Sequence, residues 1–468
     1  MSDRFLPFRQ KMEADGLSRP AVRAFEHSYR ALERNETGMI GEETIAPVAS
    51  LPQFADLPPV SAEAFQELLR QTVVIKLNGG LGTGMGLEKA KSLLEVRSGM
   101  TFLDLIARQI LHLRAKTGGV FPQFLLMNSF STSADTRAAL ARHPALGDPA
   151  GLEMLQNRVP KVVAENLQPL SWPQNPSLEW CPPGHGDIYP SLLGSGWLDR
   201  LLEAGVKYAF VSNSDNLGAD LHPGLLAWFA GSGSPFVMEV TRRTAIDSKG
   251  GHLAQRRSDG RLVLRESAQC AKADQSAFED IERHRFFNTN NLWVRLDHLK
   301  QKLDENDGVI FLPLIRNQKT ADPRDEASPK VYQLETAMGA AIECFEGADA
   351  IEVPRTRFAP VKTTSDLFII RSNACVLTED FRIELDSSLH GQPPVLDLDK
   401  THYKLVDGLE SLLANGVPEL RSCTRLKIAG PIRFSPGTVL TGEVILENAR
   451  QEPIVIPPGT CTGRHLLG

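Results

Sequence analysis

The segment Leu77-Asn-Gly-Gly-Leu-Gly-Thr-Gly-Met-Gly-Leu-Glu-Lys-Ala-Lys91-Ser92 concentrates five glycines and two lysines in one loop. Glycine leaves backbone N–H groups uncovered, and a run of them forms a concavity that binds anions. Lys89 and Lys91, toward the far end, can meet a phosphate held there. Neither G-x-G-x-x-G nor G-x-x-x-x-G-K-[ST] fits any register, which excludes the dinucleotide fingerprint and the P-loop. The same composition also describes a surface loop with solvated lysines. Four further places carry usable groups. Asp215 ends an apolar run, where a carboxylate suits Mg²⁺, which takes one or two protein carboxylates and completes its shell with phosphate and water; a turn aspartate is the alternative. His185, in Pro182-Pro-Gly-His-Gly-Asp187, can donate to a phosphate or sugar oxygen. Asn288-Thr-Asn-Asn291 offers amides that both donate and accept, as sugar hydroxyls require. Lys362 is a compact point charge suited to phosphate.

These groups lie in an ordinary globular composition: 468 residues, 42% hydrophobic and 23% charged. The length suggests about three domains. A formal net charge of -6 provides no basic field for nucleic acid, so none is expected as a partner. An anionic substrate must find a local cluster. The six cysteines show no zinc spacing and suit free thiols in a reducing compartment. The N-terminus lacks a signal-peptide core, and no apolar stretch is long enough to span a membrane. The expected location is the cytoplasm.

The elements that must position the groups follow from hydrophobic spacing. Val22, Phe25, Tyr29 and Leu32 predict a helix over Ala21 to Arg34, and Ser61 caps a short helix to Arg70. Ile45 to Val60, broken by four prolines, reads as a linker. Thr72 to Leu77 is a buried strand entering the glycine loop. Phe124–Met127, Tyr208–Ser212, Phe236–Val240, Leu292–Val294 and Phe368–Ile370 read as further strands. Helical patterns at Phe102 to Ala115 and Gly196 to Ala204 alternate with them. The alternation predicts an α/β class with a mixed, mainly parallel sheet covered on both faces, its ligand beyond the strands' carboxyl ends. Ile428, Phe434, Leu440 and Leu446 recur at six-residue spacing, and Pro436-Gly-Thr438 recurs as Pro458-Gly-Thr460. That pattern predicts a small C-terminal β-helix, with an ordinary meander as the alternative. The expected layout is an N-terminal helical segment (1–70), a catalytic domain (71–375) and a β-helix-like domain (376–468).

The glycine loop resembles the signature of the eukaryotic-type UTP–glucose-1-phosphate uridylyltransferases, or UDP-glucose pyrophosphorylases, which is close to KLNGGLGTxMGxxGPKS followed by TFLDL. Here KLNGGLGTGMG is followed by LEKAKS and TFLDL; Ala90 replaces the family proline and Lys89 a glycine. The resemblance continues in order through LMNSF at 126–130, QNRVP at 156–160, PPGHGD at 182–187, NSDNLG at 213–218, MEVT at 238–241 and KGG at 249–251. It goes on with FNTNNLW at 287–293, QLETA at 333–337, VPR at 353–355 and RFAPVKTTSD at 357–366. QNRVP departs from the family's QSRYP at two positions. The collinear blocks run from 76 to 366; the N-terminal 70 and C-terminal 90 residues carry little of the signal.

The resemblance implies a Rossmann-like nucleotidyltransferase domain and a set of roles. Leu77, Asn78, Gly79 and Gly80 would clasp uracil and ribose through the backbone. Gln156 would read the base edge, and Gly184 would lie against the nucleotide. Asn213, Ser214 and Asp215 belong to the nucleotide site, with Asp215 holding Mg²⁺ as cofactor. His185 would meet the sugar phosphate and Asn290 the glucosyl part, with Gly250 and Glu335 shaping that pocket. Lys91 and Lys362 would be catalytic, Lys362 at the α-phosphate. The implied reaction is in-line attack of glucose 1-phosphate on the α-phosphorus of UTP, which releases pyrophosphate through positioning and electrostatics. A sister activity on N-acetylglucosamine 1-phosphate or several sugar phosphates is the nearest alternative; a catalytically silent relative is the remote one. The exposed edge of a β-helix can pair between subunits, which makes a homo-oligomer a possible partner state.

Overall fold

The computed structural model describes residues 3–120, 122–244 and 247–467. At its centre is a ten-stranded mixed sheet. Along its main path the order is Ile45–Pro47, His252–Arg256, Phe286–Arg295, Tyr208–Asn213, Thr72–Asn78, Gln123–Asn128 and Glu153–Leu155. The strands Tyr208–Asn213, Thr72–Asn78, Gln123–Asn128 and Glu153–Leu155 run parallel to their neighbours in this group. Phe286–Arg295 enters antiparallel and is shared by Tyr208–Asn213 and Phe236–Arg242.

Period-2 alternation explains the layers. In the Thr72–Asn78 strand, Val74 packs into one core with Phe65 and Leu69, Phe102 and Ile106, and Phe229. Its neighbours Val73 and Ile75 face the other core, with Tyr189, Leu198, Leu299 and Leu303. Both faces are therefore covered by helices, and the strand reads as a continuous apolar run because neither face meets water. The predicted helices form as Arg19–Glu33, Ala62–Arg70, Phe102–Lys116 and Trp197–Glu203. Ser61 caps its helix by accepting from the Ala64 N–H at 3.2 Å.

Two expectations fail. Phe368–Ile370 is not a strand; it lies inside the helix Thr364–Arg371. Thr363 and Asp366 form a reciprocal capping box that starts this helix just before the apolar run. A short apolar run cannot by itself distinguish a buried strand from a buried helix. The proline-rich segment 45–60 is also not a free linker. Ile45–Pro47 pairs with His252–Arg256 at the sheet edge, where its proline can be tolerated. The Arg19–Glu33 helix, with Phe5 and Phe8, packs on Val159, Val162, Leu314 and Leu334 of the central region.

Beyond residue 376 the strands Val395–Leu398, Glu419–Ala429, Thr438–Glu447 and Gly459–Leu466 pair in parallel. Ile432–Phe434 pairs in parallel with Ile454–Ile456. The four apolar residues at six-residue spacing are all buried and belong to the same core as Val74 and Phe102.

Candidate active site

The site lies where two neighbouring parallel strands end. Leu77 is in register with Asn213, and both strands run straight into their loops. Ser214 locks the ends together: its N–H donates to the Leu77 carbonyl at 3.1 Å, and its hydroxyl donates to the same oxygen. Asn78 is buried, and its amide donates to Asn128 Oδ1 at 2.7 Å and to Thr136 Oγ1 at 2.9 Å. Its side chain therefore pins the strand end from inside and leaves only the backbone facing the site. The glycine loop folds back so that the Lys91 N–H donates to the Gly80 carbonyl at 3.1 Å. Ala90, in the family's proline position, is buried at φ -51° and ψ 129°. That φ is one a proline ring allows, so the turn keeps a proline-like backbone without the ring.

Lys91 is the convergence point. Its ammonium donates to Asp215 Oδ2 at 2.6 Å and to the carbonyl of Val361, the residue before Lys362. Three segments distant in sequence thus meet on one cation. Lys362 itself is exposed. Its N–H donates to Asp366 at 2.8 Å, within the capping box that begins the following helix. A single half-buried carboxylate at a strand end is what a magnesium ion needs when substrate phosphates supply the rest of its shell. Asp215 fits that requirement. Among the described residues no group of three or more His, Cys, Asp or Glu is placed to form an all-protein metal cage.

A second wall joins Gln156, Gly184, His185 and Glu335. Gln156 lies over the glycine loop, so close that a Cβ on Gly79 would come within 2.7 Å of its Oε1. Its amide donates to the Gly184 carbonyl at 3.0 Å. Gly184 has φ +81°, and a Cβ there would meet the Thr336 carbonyl at 2.5 Å and Glu335 Cβ at 3.1 Å; no other residue suits this turn. His185 Nδ1 accepts from the Met338 N–H at 2.9 Å. That contact leaves the ring proton on Nε2, so His185 is a fixed donor. Burial pushes its pKa down to about 4, so it stays neutral at physiological pH. Asp187 secures this wall by accepting from the Asn157 N–H at 2.7 Å and the Ser191 hydroxyl at 2.7 Å. Burial nonetheless pushes its carboxyl up to about 6.

The third wall carries Gly250 and Asn290. A Cβ on Gly250 would strike the Phe287 ring at 2.1 Å. Asn290 takes the left-handed conformation, φ +59°, at a bulge where the Phe236–Arg242 pairing shifts register. Its N–H donates to Asn288 Oδ1 at 2.9 Å, and the Asn288 amide donates back to Asn290 Oδ1 at 2.9 Å. A non-glycine residue held at positive φ by its surroundings is a common feature of binding sites.

Two features went unread in the sequence. Glu266 faces the Gly250–Gly251 turn: a Cβ on Gly251 would meet its Oε2 at 2.4 Å. Burial raises its carboxyl pKa, while a hydrogen bond with Asn288 and the charge of Lys362 lower it. Nothing around Glu266 in the sequence distinguishes it from a surface glutamate. The other is a buried ionic knot. Glu239 accepts from Arg357 Nε and Nη2, both at 2.9 Å, from Asn291 at 3.0 Å and from Trp293 Nε1 at 2.9 Å. Arg357 also pairs with Asp220 at 2.5 Å, and its carbonyl accepts from Asn216 at 3.1 Å. The signal was present, since a glutamate inside the apolar strand at 236–240 requires a buried partner.

The geometry agrees with comparison to known proteins. The family model described as UTP--glucose-1-phosphate uridylyltransferase matches residues 22–441. The chain belongs to this family. The match reaches well into both ends, beyond the 76–366 span in which the motifs are legible. A UTP--glucose-1-phosphate uridylyltransferase of Musa acuminata is 40% identical over 391 residues, 83% of this chain and 80% of its own. One from Encephalitozoon cuniculi is 35% identical over 98% of this chain and 90% of its own. Among solved structures, a mutant UDP-glucose pyrophosphorylase of Leishmania major in complex with UDP-glucose superposes with a TM-score of 0.93 at 47% identity and full coverage of both chains. A Trypanosoma brucei structure described as a UDP-glucose phosphorylase gives 0.90 at 46%, covering 99% of this chain and 100% of that one.

Proposed function

We propose that this uridylyltransferase-family chain joins UTP and glucose 1-phosphate into UDP-glucose, with release of pyrophosphate. The observation that carries the reading is the meeting of Lys91, Asp215 and the Val361–Lys362 segment at the ends of two parallel strands. The nucleophile, a phosphate oxygen, is already an anion and needs no general base. The difficulty is bringing two polyanions together, and fixed cations at a preorganised site address it. Lys91 and Lys362 flank the α-phosphate; the glycine loop at Leu77, Asn78, Gly79 and Gly80 holds the nucleoside, with Asn213 and Ser214 beneath it. Gln156 reads uracil beside Gly184. His185 donates its Nε2 proton to the sugar phosphate, and Asn290, Gly250 and Glu335 shape the glucosyl pocket. Asp215 would hold Mg²⁺, which supplies charge neutralisation of the phosphates when bound.

The division into 1–70, 71–375 and 376–468 belongs to the same proposal. A C-terminal β-helix is supported by the parallel pairing there, in which Ile428 lies beside Leu446, three six-residue steps away. The outermost strand, Gly459–Leu466, leaves one edge available for pairing with a second copy. Among the described residues no helix is long and apolar enough to cross a membrane. The six free cysteines suit the cytoplasm.

The test is pyrophosphate release from UTP with Mg²⁺, comparing glucose 1-phosphate with galactose 1-phosphate and N-acetylglucosamine 1-phosphate, and repeating the reaction with a chelator. Strong preference for glucose 1-phosphate and loss of turnover on chelation are expected. Preference for the acetamido sugar would move the chain to the sister activity, and no release from any sugar would overturn catalysis.

A further inference from the structure

A cavity of about 340 Å³ lies on the face of the sheet that carries Val74, between the helices Ala62–Arg70 and Phe102–Lys116. Its size falls in the range of small-molecule sites. None of the residues assigned above to the active site lines it. Phe65, Val74, Ile106, Ile110, Leu113 and Leu221 make most of the wall apolar. Lys76 is among the lining residues and is buried, and its ammonium donates to Ser212 Oγ at 2.8 Å and to the Ala219 carbonyl at 2.7 Å. Those contacts use two of its three N–H groups.

Three cations line the cavity against two acids: Lys76, Lys116 and Arg382 against Asp220 and Asp380. The two acids that line it are already held by arginines: Asp220 by Arg357 at 2.5 Å, Asp380 by Arg382 at 2.9 Å. Lys76 and Lys116, which also line it, have no carboxylate partner among the described residues. Burial pushes the Lys76 amine down to about 7, against the pull of Asp220. His112 Nε2, on the same wall, is buried with no hydrogen-bond partner among the described residues. A buried amine that has no directly paired carboxylate among the described residues and keeps one N–H free beside an apolar cavity matches a ligand that is mostly apolar and carries one negative charge. We propose that this cavity is a binding site for a small, mostly apolar monocarboxylic acid, its hydrocarbon part against Ile106 and Ile110 and its carboxylate paired with Lys76.

The experiment is calorimetric titration of the full-length protein with 1-naphthoate and with uncharged 1-naphthamide. The acid is expected to bind about tenfold more tightly than the amide, the size of a charge-assisted hydrogen bond. Binding should persist in protein saturated with UDP-glucose. Lys76→Met, an apolar replacement in apolar surroundings, should bring acid and amide to equal affinity, and Ile110→Trp should block both by filling the space. Equal affinities in the unaltered protein, displacement of the acid by UDP-glucose, a preference retained in Lys76→Met, or no binding of either compound would each overturn the assignment.

Discussion

Lys91 reaches the segment that carries Lys362 from far away in sequence, since its ammonium touches the Val361 carbonyl just before Lys362. If both neutralise phosphate charge during transfer, each should matter to turnover more than to folding, because both side chains are at least partly exposed. Lys362→Ala and Lys91→Ala are each expected to lower kcat by about 10²–10³, as loss of a preorganised charge contact does. Stopped-time pyrophosphate assays on folded variants measure this, and near-normal turnover would remove the assigned role. His185 makes a different prediction. Its folded pKa of about 4 lies below the ordinary 6.5, so the unfolded chain binds more protons as pH falls through 6.5. The stability its burial permits is complete above 6.5 and is lost progressively toward 4. His185→Gln should therefore show a smaller drop in urea midpoint between pH 7 and pH 4.5 than the parent protein. An identical drop would mean that the imidazole is not held neutral.

At the level of elements, the Arg357 knot ties the loop after the Tyr208–Asn213 strand to the Phe236–Arg242 and Phe286–Arg295 strands. Asp215 lies in that loop, and Lys362 is five residues past Arg357, so the knot sets the spacing of the groups on Lys91. Arg357→Met would leave Glu239 buried with an uncompensated charge, at a cost of about 3–5 kcal/mol. Adding Glu239→Gln should recover a substantial part of that loss in denaturant melts, because the orphaned charge is then gone. Additive losses would show that the two residues do not act as a pair. Much of this level was legible beforehand. The strand at Thr72, the capped helix after Ser61 and the glycine loop all follow from local alternation and turn chemistry. The helix over Phe368 was not legible from its apolar run; the capping pair Thr363 and Asp366, just upstream, was the better guide. The strand at Ile45 was hidden because a sheet edge tolerates prolines that a central strand would not.

For the whole molecule, the parallel C-terminal strands do not form a separate core. Phe434, Leu440 and Leu446 belong to one apolar cluster with Phe368, Phe210 and Phe102. Leu405 also lies against the glycine loop, 3.2 Å from where a Gly86 Cβ would stand. Deleting residues 376–468 should therefore uncover the central core as well as remove the C-terminal strands. The truncated chain is expected to lose cooperative thermal unfolding and near-ultraviolet circular dichroism; a sharp transition near that of the full chain would show that the central region folds alone. The sequence by itself determined the backbone-level facts: which runs are buried on both faces, where the chain must turn, which loop can cradle an anion, and which residue types carry charge. Those are local properties, set by the period of burial and by the conformations that glycine, proline and the capping residues allow. Only the tertiary structure decided which charge meets which. Lys91 finds Asp215, Arg357 finds Glu239, the Asn78 side chain turns inward, and Lys76 is left facing a cavity with no directly paired carboxylate among the described residues. A charge's partner is fixed by proximity in a desolvated interior, where an unpaired ion is costly, and that proximity comes from the path of the chain as a whole.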